Sequence, residues 1–223
     1  MQNPPPYPGQ QKSPNQTLST VLIVVSLSCV ALCGVGGFVA YKKGIEAANS
    51  IMPIIGCSAD FEAVGAGILA YAKDKKKLPD SAKWQSQVLE YVKKELKTSP
   101  IGADEIEGMQ RAGITMRRMK VDGNWGCSVD ATTINGFAFN TELSGKKLED
   151  IVSKSKTALV FESDQQAKMN LSMIYKKLPD TAKPEVMGQP RAYLVFYADG
   201  SFENSMSDKS KGAKVKISTN SSP

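Results

Sequence analysis

Residues 17–41 (TLSTVLIVVSLSCVALCGVGGFVAY) contain no charged side chain. Seventeen of these 25 residues are apolar and the others are Gly, Ser or Thr. As a helix rising about 1.5 Å per residue they would extend roughly 37 Å, more than the roughly 30 Å hydrocarbon core of a bilayer. A helix that is apolar on every side suits lipid better than the edge of a soluble domain. The stretch therefore predicts a transmembrane helix, with the bilayer as its first partner. Tyr41, Lys42 and Lys43 follow it and read as its interfacial end. Lys12 is the only charged side chain before it and no A-x-A site follows, so the span is expected to be retained as an anchor.

The flanks are unlike the span and unlike each other. Residues 1–16 are rich in Pro and Gln and hold almost nothing apolar, which predicts a disordered tail with polyproline II character. Residues 42–223 carry 27 Lys and Arg against 22 Asp and Glu, a balance of +5. The cations fall in short clusters at Lys73 to Lys77, Lys93 to Lys97, Arg117 to Lys120 and Lys209 to Lys216, each interleaved with acids. Without a focused patch and stacking aromatics, these read as solvated faces and not as a nucleic-acid site.

Apolar spacing orders the rest of the chain. Residues 42–57 read as a juxtamembrane helix or linker that Pro53 should end or kink. Ser58 or Asp60 is the expected cap of a new helix carrying Phe61, Val64, Ile68 and Tyr71 at helical spacing. A second helix is expected after Asp80 or Ser81, with Trp84, Val88, Tyr91 and Val92 on its apolar side. Strands are expected over 113–121, around Trp125 to Val129, and over 136–140, 157–162 and 191–197, with turns at Asp122-Gly123 and Asp199-Gly200. Helices first and strands later predict an α+β domain with an antiparallel sheet over 58–208, ahead of a C-terminal tail over 209–223.

Chemistry-bearing motifs are sparse. The chain has no histidine, which removes His-based triads, general bases and metal sites. It has no phosphate-cradling loop, GxSxG or CxxC motif, and we expect no catalytic activity. Cys57 and Cys127 are the only thiols outside the span. If the domain lies outside the cytoplasm they are candidates for a disulfide, the other possibility being two buried free thiols.

Several segments carry a family resemblance. Tyr71-Ala72-Lys73-Asp74 followed by Leu78-Pro79-Asp80, Trp84, Leu89 and Tyr91 resembles the first part of a bacterial pseudopilin domain. Phe137-Ala138-Phe139-Asn140 with Leu143-Ser144-Gly145, then Thr157 to Glu162, then the hairpin Tyr193 to Ser201, resemble later prepilin-like segments in the same order. Where prepilins carry a cleavage signal this chain has Thr17-Leu18-Ser19-Thr20, the span holds no Glu, and Gly188 to Arg191 stand where the family has a His. The resemblance thus implies a pseudopilin-like domain of helices packed on an antiparallel sheet, carried by an uncleaved anchor. It further implies a single-pass membrane protein with its N-terminus in the cytoplasm and its domain outside. The role implied is structural or interactive, with membrane or secretion and pilus-type proteins as partners. The alternative is a single-span ligand-binding or sensing ectodomain unrelated to secretion. A calcium site is the one cofactor the resemblance suggests, with Asp164, Asp199 and Glu203, and Asp208 beyond them, as oxygen donors.

Overall fold

A computed structural model describes residues 14–98, 103–129, 132–176, 181–186, 188–203, 205–207 and 214–216. Of the tail expected over 1–16, residues 1–13 lie outside them and residues 14–16 open a helix; Asp208 and most of 209–223 also lie outside. The chain divides into two units, residues 1–45 and 46–223. In the first, the described backbone is helical from Pro14. Tyr41, Lys42 and Lys43 are exposed on that helix.

Helix α1 (Pro14–Lys75) spans 62 residues and includes Pro53, so the expected break does not occur. A proline removes one backbone donor and crowds the preceding turn, yet it need not end a helix that tertiary packing holds on its far side. Here that packing is strong. Cys57, Phe61, Val64, Ile68, Tyr71 and Ala72 are all buried, at the three- and four-residue spacing of one helix face. Ser58 and Asp60 accordingly cap nothing; they lie mid-helix. α1 is long and apolar enough to cross a membrane, and 56% of its most apolar described window, within Ala40–Lys75, is buried inside the protein. That part of the helix is the core element of the second unit.

Helix α2 (Trp84–Lys97) covers α1 with Trp84, Val88 and Val92. The approach is close because two α1 positions lack side chains. A Cβ on Gly67 would lie 2.6 Å from Val92 Cγ2 and 2.9 Å from the Val92 backbone nitrogen. A Cβ on Gly65 would lie 2.3 Å from the Phe196 ring, which belongs to the sheet. A short third helix, α3 (Ala103–Arg111), was not expected from the spacing.

The larger sheet runs β1 (Gly126–Ser128), β2 (Ile134–Asn140), β3 (Ala158–Gln166), β7 (Val195–Tyr197), β8 (Phe202–Glu203), and its pairs along that path are antiparallel. A two-residue strand β4 (Ser172–Met173) adds to β2 in parallel. Phe137 and Phe139 alternate with Ala138 along β2, so the two rings share one face. They join the α1 core, and Phe61 meets Phe137 edge-on at 4.9 Å. Ala138, Phe161 and Val195 form a smaller cluster of their own. Trp84 packs edge-on against Trp125 at 5.3 Å, and each indole N–H is satisfied, by Leu171 O and Val121 O. The mixed helices and antiparallel sheet make the second unit an α+β domain. Residues 113–121, expected as a strand, take no strand conformation. They are held instead by side chains of α1.

A smaller antiparallel sheet holds β5 (Ala182–Val186), β6 (Gln189–Arg191), β9 (Ser205–Ser207) and β10 (Lys214–Lys216). It cuts short the long strand expected over 191–197, since Arg191 belongs to this sheet and Val195 to the larger one. One buried ion pair crosses between the sheets. Arg191 Nη2 donates to Glu162 Oε1 at 2.6 Å and Nη1 donates to Oε2 at 2.7 Å, with both side chains at most 1% exposed. Arg191 also donates to the carbonyls of Lys183, Pro184 and Ala192. Asn135 Nδ2 and the Leu194 amide donate to Glu162. Two fully desolvated charges are tolerated only when both are this well supplied with partners.

Two predictions follow from this packing. Gly67→Ala should lower stability by about 1–3 kcal/mol through overpacking, against a helix-propensity gain of about 1 kcal/mol. Gly44→Ala, where a Cβ meets nothing within 4 Å, should be neutral or stabilising, so thermal unfolding should fall for Gly67→Ala and not for Gly44→Ala. Glu162→Leu alone, which strands a buried guanidinium, should cost about 3–5 kcal/mol. Pairing it with Arg191→Met should recover a large part of that loss in urea unfolding.

Candidate functional site

Cys57 of α1 and Cys127 of β1 lie at disulfide distance, Cα to Cα 5.2 Å, and are bonded. The closed loop has a sequence separation of 70 and ties the core helix to the edge of the larger sheet. In the chain-entropy picture such a loop contributes roughly 4 kcal/mol. One turn along α1, Asp60 is 2% exposed and accepts from Arg118 Nε at 2.7 Å and from the Met119 amide at 2.6 Å. Asn49, further up the helix, binds the Gly113 carbonyl and the Thr115 amide. These polar α1 side chains hold the irregular segment after α3 along the helix. Arg117 is fixed there too, donating to Ser128 Oγ at 3.0 Å. A pocket of about 300 Å³ opens beside them, lined by Asn49, Pro53, Arg117, Ser128 and Glu185 among others.

The three proposed calcium donors do not gather. Asp164 is exposed on β3. Asp199 Oδ1 closes the hairpin turn by accepting from the Ser201 amide at 2.9 Å and the Ser201 hydroxyl at 2.6 Å. Glu203 Oε2 accepts from the Tyr197 hydroxyl at 2.7 Å. Among the described residues no group of three or more His, Cys, Asp or Glu is placed to hold a metal ion. Among the described residues, Asp164, Asp199 and Glu203 thus form no common donor set, one oxygen of Asp199 closing a turn and one of Glu203 meeting a tyrosine. A shallow groove of about 680 Å³ does lie beside Asp199, with Glu149, Val152, Lys154 and Lys156 on its walls.

The feature that spacing did not reveal is a basic tip where α1 ends and α2 begins. Lys73, Lys75, Lys76 and Lys77 close α1 and its turn, Lys83 precedes α2, and all five are exposed. A second loop joins them. The Leu78 amide donates to the Lys146 carbonyl at 2.7 Å, the Gly145 amide to Pro79 O at 3.3 Å, and the Ser81 amide to Ser144 Oγ at 3.0 Å. Leu78 itself is fully buried, which anchors the clasp. Lys146 and Lys147 are thus brought to the same tip, making seven lysines against Asp74, Asp80 and Glu142. Asp74 is already bonded to Lys75 and to the Tyr91 hydroxyl, and Lys147 pairs with Glu149 at 3.7 Å. Among the described residues, Lys73, Lys76, Lys77, Lys83 and Lys146 form no ion pair. The signal in the sequence was the lysine run alone; its convergence with 146–147 depends on hydrogen bonds across more than 60 residues.

The hairpin tyrosine generates a pH prediction. Burial first, then its bond to Glu203, pushes the Tyr197 hydroxyl well above its ordinary value of 10. A raised folded-state value means that its share of stability is intact below about pH 10 and is lost as the pH climbs above it. In urea unfolding, the stability gap between the protein and Tyr197→Phe should be constant from pH 7 to 9 and shrink above pH 10. A gap that stays constant to pH 11 would show that the hydroxyl ionises as it does in the unfolded chain.

Comparison with protein families, with curated proteins and with solved structures finds no match for this chain.

Proposed function

We propose that this chain is a membrane-anchored, pseudopilin-like protein with a structural or interactive role, held by residues 17–41 with its domain outside the cytoplasm. One observation carries the reading. The helix that contains the charge-free stretch also supplies, over Cys57 to Ala72, the buried spine of an α+β domain with an antiparallel sheet. An anchor continuous with its domain's core element is the arrangement that the resembling segments lead one to expect. The bonded Cys57–Cys127 pair supports an oxidising compartment. The clasped lysine tip supports an interactive role, because it is an ordered, exposed surface on which lysines outnumber carboxylates.

The topology is tested in intact cells, on a chain with Cys29 and Cys33 replaced by Ser. After alkylation, denaturation and a second labelling step, Cys57 and Cys127 should react only when reductant precedes the second label. A C-terminal fusion to a reporter enzyme active only outside the cytoplasm should be active. Free thiols together with a silent reporter would place the domain on the cytoplasmic side and remove the reading.

A further inference from the structure

The irregular segment after α3 touches the neighbours of both bonded cysteines. On α1 the contact is at Gly56, the residue before Cys57. A Cβ there would lie 2.6 Å from the Arg117 carbonyl oxygen and 3.2 Å from Met116 Cγ, so the segment's backbone rests directly on the helix. On β1 the contact is at Ser128, the residue after Cys127, whose Oγ accepts from Arg117 Nη1 at 3.0 Å. Asp60 holds the next two residues by accepting from Arg118 Nε and the Met119 amide. Under this cover Cys57 is 5% exposed and Cys127 is 0% exposed, which leaves neither sulfur open to attack from solution.

The cover is lightly built. Of residues 104–120 Met116 alone is buried, with Met119 partly buried against the core. Residues 113–120 belong to neither sheet. Their first joint is Gly113, left-handed at φ 78°, and their last is a turn in which the Gly123 amide donates to Lys120 O at 3.0 Å. Beneath them Phe61, Trp125 and Phe137 are buried to 1% exposure or less. A segment with so little apolar burial opens at a lower free energy than the core it lies on.

We propose that residues 113–120 are a lid on the Cys57–Cys127 bond, and that its opening, with the rest of the domain still folded, is the step that admits thiol–disulfide exchange. The exchange itself is ordinary. A thiolate of a dithiol attacks one sulfur, forms a mixed disulfide and expels the other sulfur as a thiolate. The second thiol of the reagent then closes on the first, which releases Cys57 and Cys127 as thiols and leaves the reagent as its cyclic disulfide. The lid has a handle as well. The Ile114 amide donates to Met109 O at 2.9 Å and the Gly113 amide to Gln110 O at 3.0 Å, so α3 and the lid are joined, and a force on α3 reaches the bond. The inference goes beyond the structural role proposed above. It uses the bonded pair and not the side of the membrane, so the topology experiment and the one below can fail separately.

The test uses the full chain in detergent, oxidised, with Cys29 and Cys33 replaced by Ser. Dithiothreitol is added, and new thiols at Cys57 and Cys127 are followed by alkylation and peptide mass. Asn49→Ala removes the bonds to Gly113 and Thr115, and Gly56→Ala pushes the Arg117 backbone off the helix. Each should speed reduction about tenfold or more, the worth of two hydrogen bonds. Gly67→Ala, which loosens the contact between α1 and α2, should leave the rate within about threefold, because it acts on global stability and not on the lid. In the parent chain the rate should rise less than about threefold from 0 to 1 M urea, where global unfolding would raise it about fivefold or more. Near-ultraviolet circular dichroism of Trp84 and Trp125 shows which variants keep their core, and the urea measurement needs no variant. A smaller acceleration in a lid variant with an intact core, a larger one in Gly67→Ala, or a steeper dependence on urea would overturn the proposal. So would a chain that does not form the bond under oxidation.

Discussion

The stripe Cys57, Phe61, Val64, Ile68 and Tyr71 on α1 has to be covered on more than one side, and the domain is the solution to that demand. A 14-residue α2 is too short to cover it alone, so the sheet supplies Phe137, Phe139, Leu159 and Phe196. Gly65 and Gly67 mark where the two covers come closest, one under Phe196 and one under Val92. Each costs helix propensity of about 1 kcal/mol relative to Ala. The return is backbone-level approach of both neighbours, which lets aromatic residues pack between helix and sheet. The same demand explains why the helix passes through Pro53. Losing one backbone hydrogen bond is a small cost beside the burial that continues from Ile54 onward.

Charge is handled in two different ways within the fold. At the junction of the two sheets, Glu162 and Arg191 are desolvated completely and every strong donor and acceptor is used. Such a pair adds little net stability over apolar residues of the same size, but it penalises any register in which the partners do not meet. It thereby fixes how β6 of the smaller sheet meets β3 of the larger. Along α1 the polar groups are placed singly. Asn49 and Asp60 each satisfy backbone groups of the segment after α3, which has no sheet partner to do so. Fixing an irregular chain to a rigid helix in this way is what gives α3 a defined place.

The helical stripes were legible in the sequence because their signal is local: Phe61, Val64, Ile68 and Tyr71, and Trp84, Val88 and Val92, recur at helical spacing and are buried as expected, with Tyr91 partly buried beside them. The paired cysteines and the Asp199-Gly200 hairpin were legible for similar reasons of type and spacing. Residues 113–121 were not, since Ile114 and Met116 alternate like a strand while the decisive partners, Asn49 and Asp60, lie more than 55 residues away. The smaller sheet was hidden because β5, β6 and β9 are short and carry Pro184 and Pro190, which ordinarily argue against strands. The three acids read as metal donors were picked out by residue type alone. A carboxylate in a tight turn is as well used by Ser201 as it would be by a cation, and composition does not distinguish the two.

Lysine runs on helix ends are usually solvated and flexible, and by sequence the run 73–77 was read so. What the fold changes is their entropy and not their number. The clasp of 78–81 against 144–146, pinned by buried Leu78, fixes the backbone of both loops before anything binds. Backbone ordering costs about 1–2 kcal/mol per residue, and a surface that has already met that cost keeps more of any electrostatic gain on association. Asp74, held by Lys75 and Tyr91, and Asp80, whose Oδ1 accepts from the Ala82 amide, offset part of the tip's charge and leave the lysines in excess. A charged tip that is preorganised and carries more lysines than carboxylates is the condition under which weak surface pairs, repeated across one face, become a contact with direction.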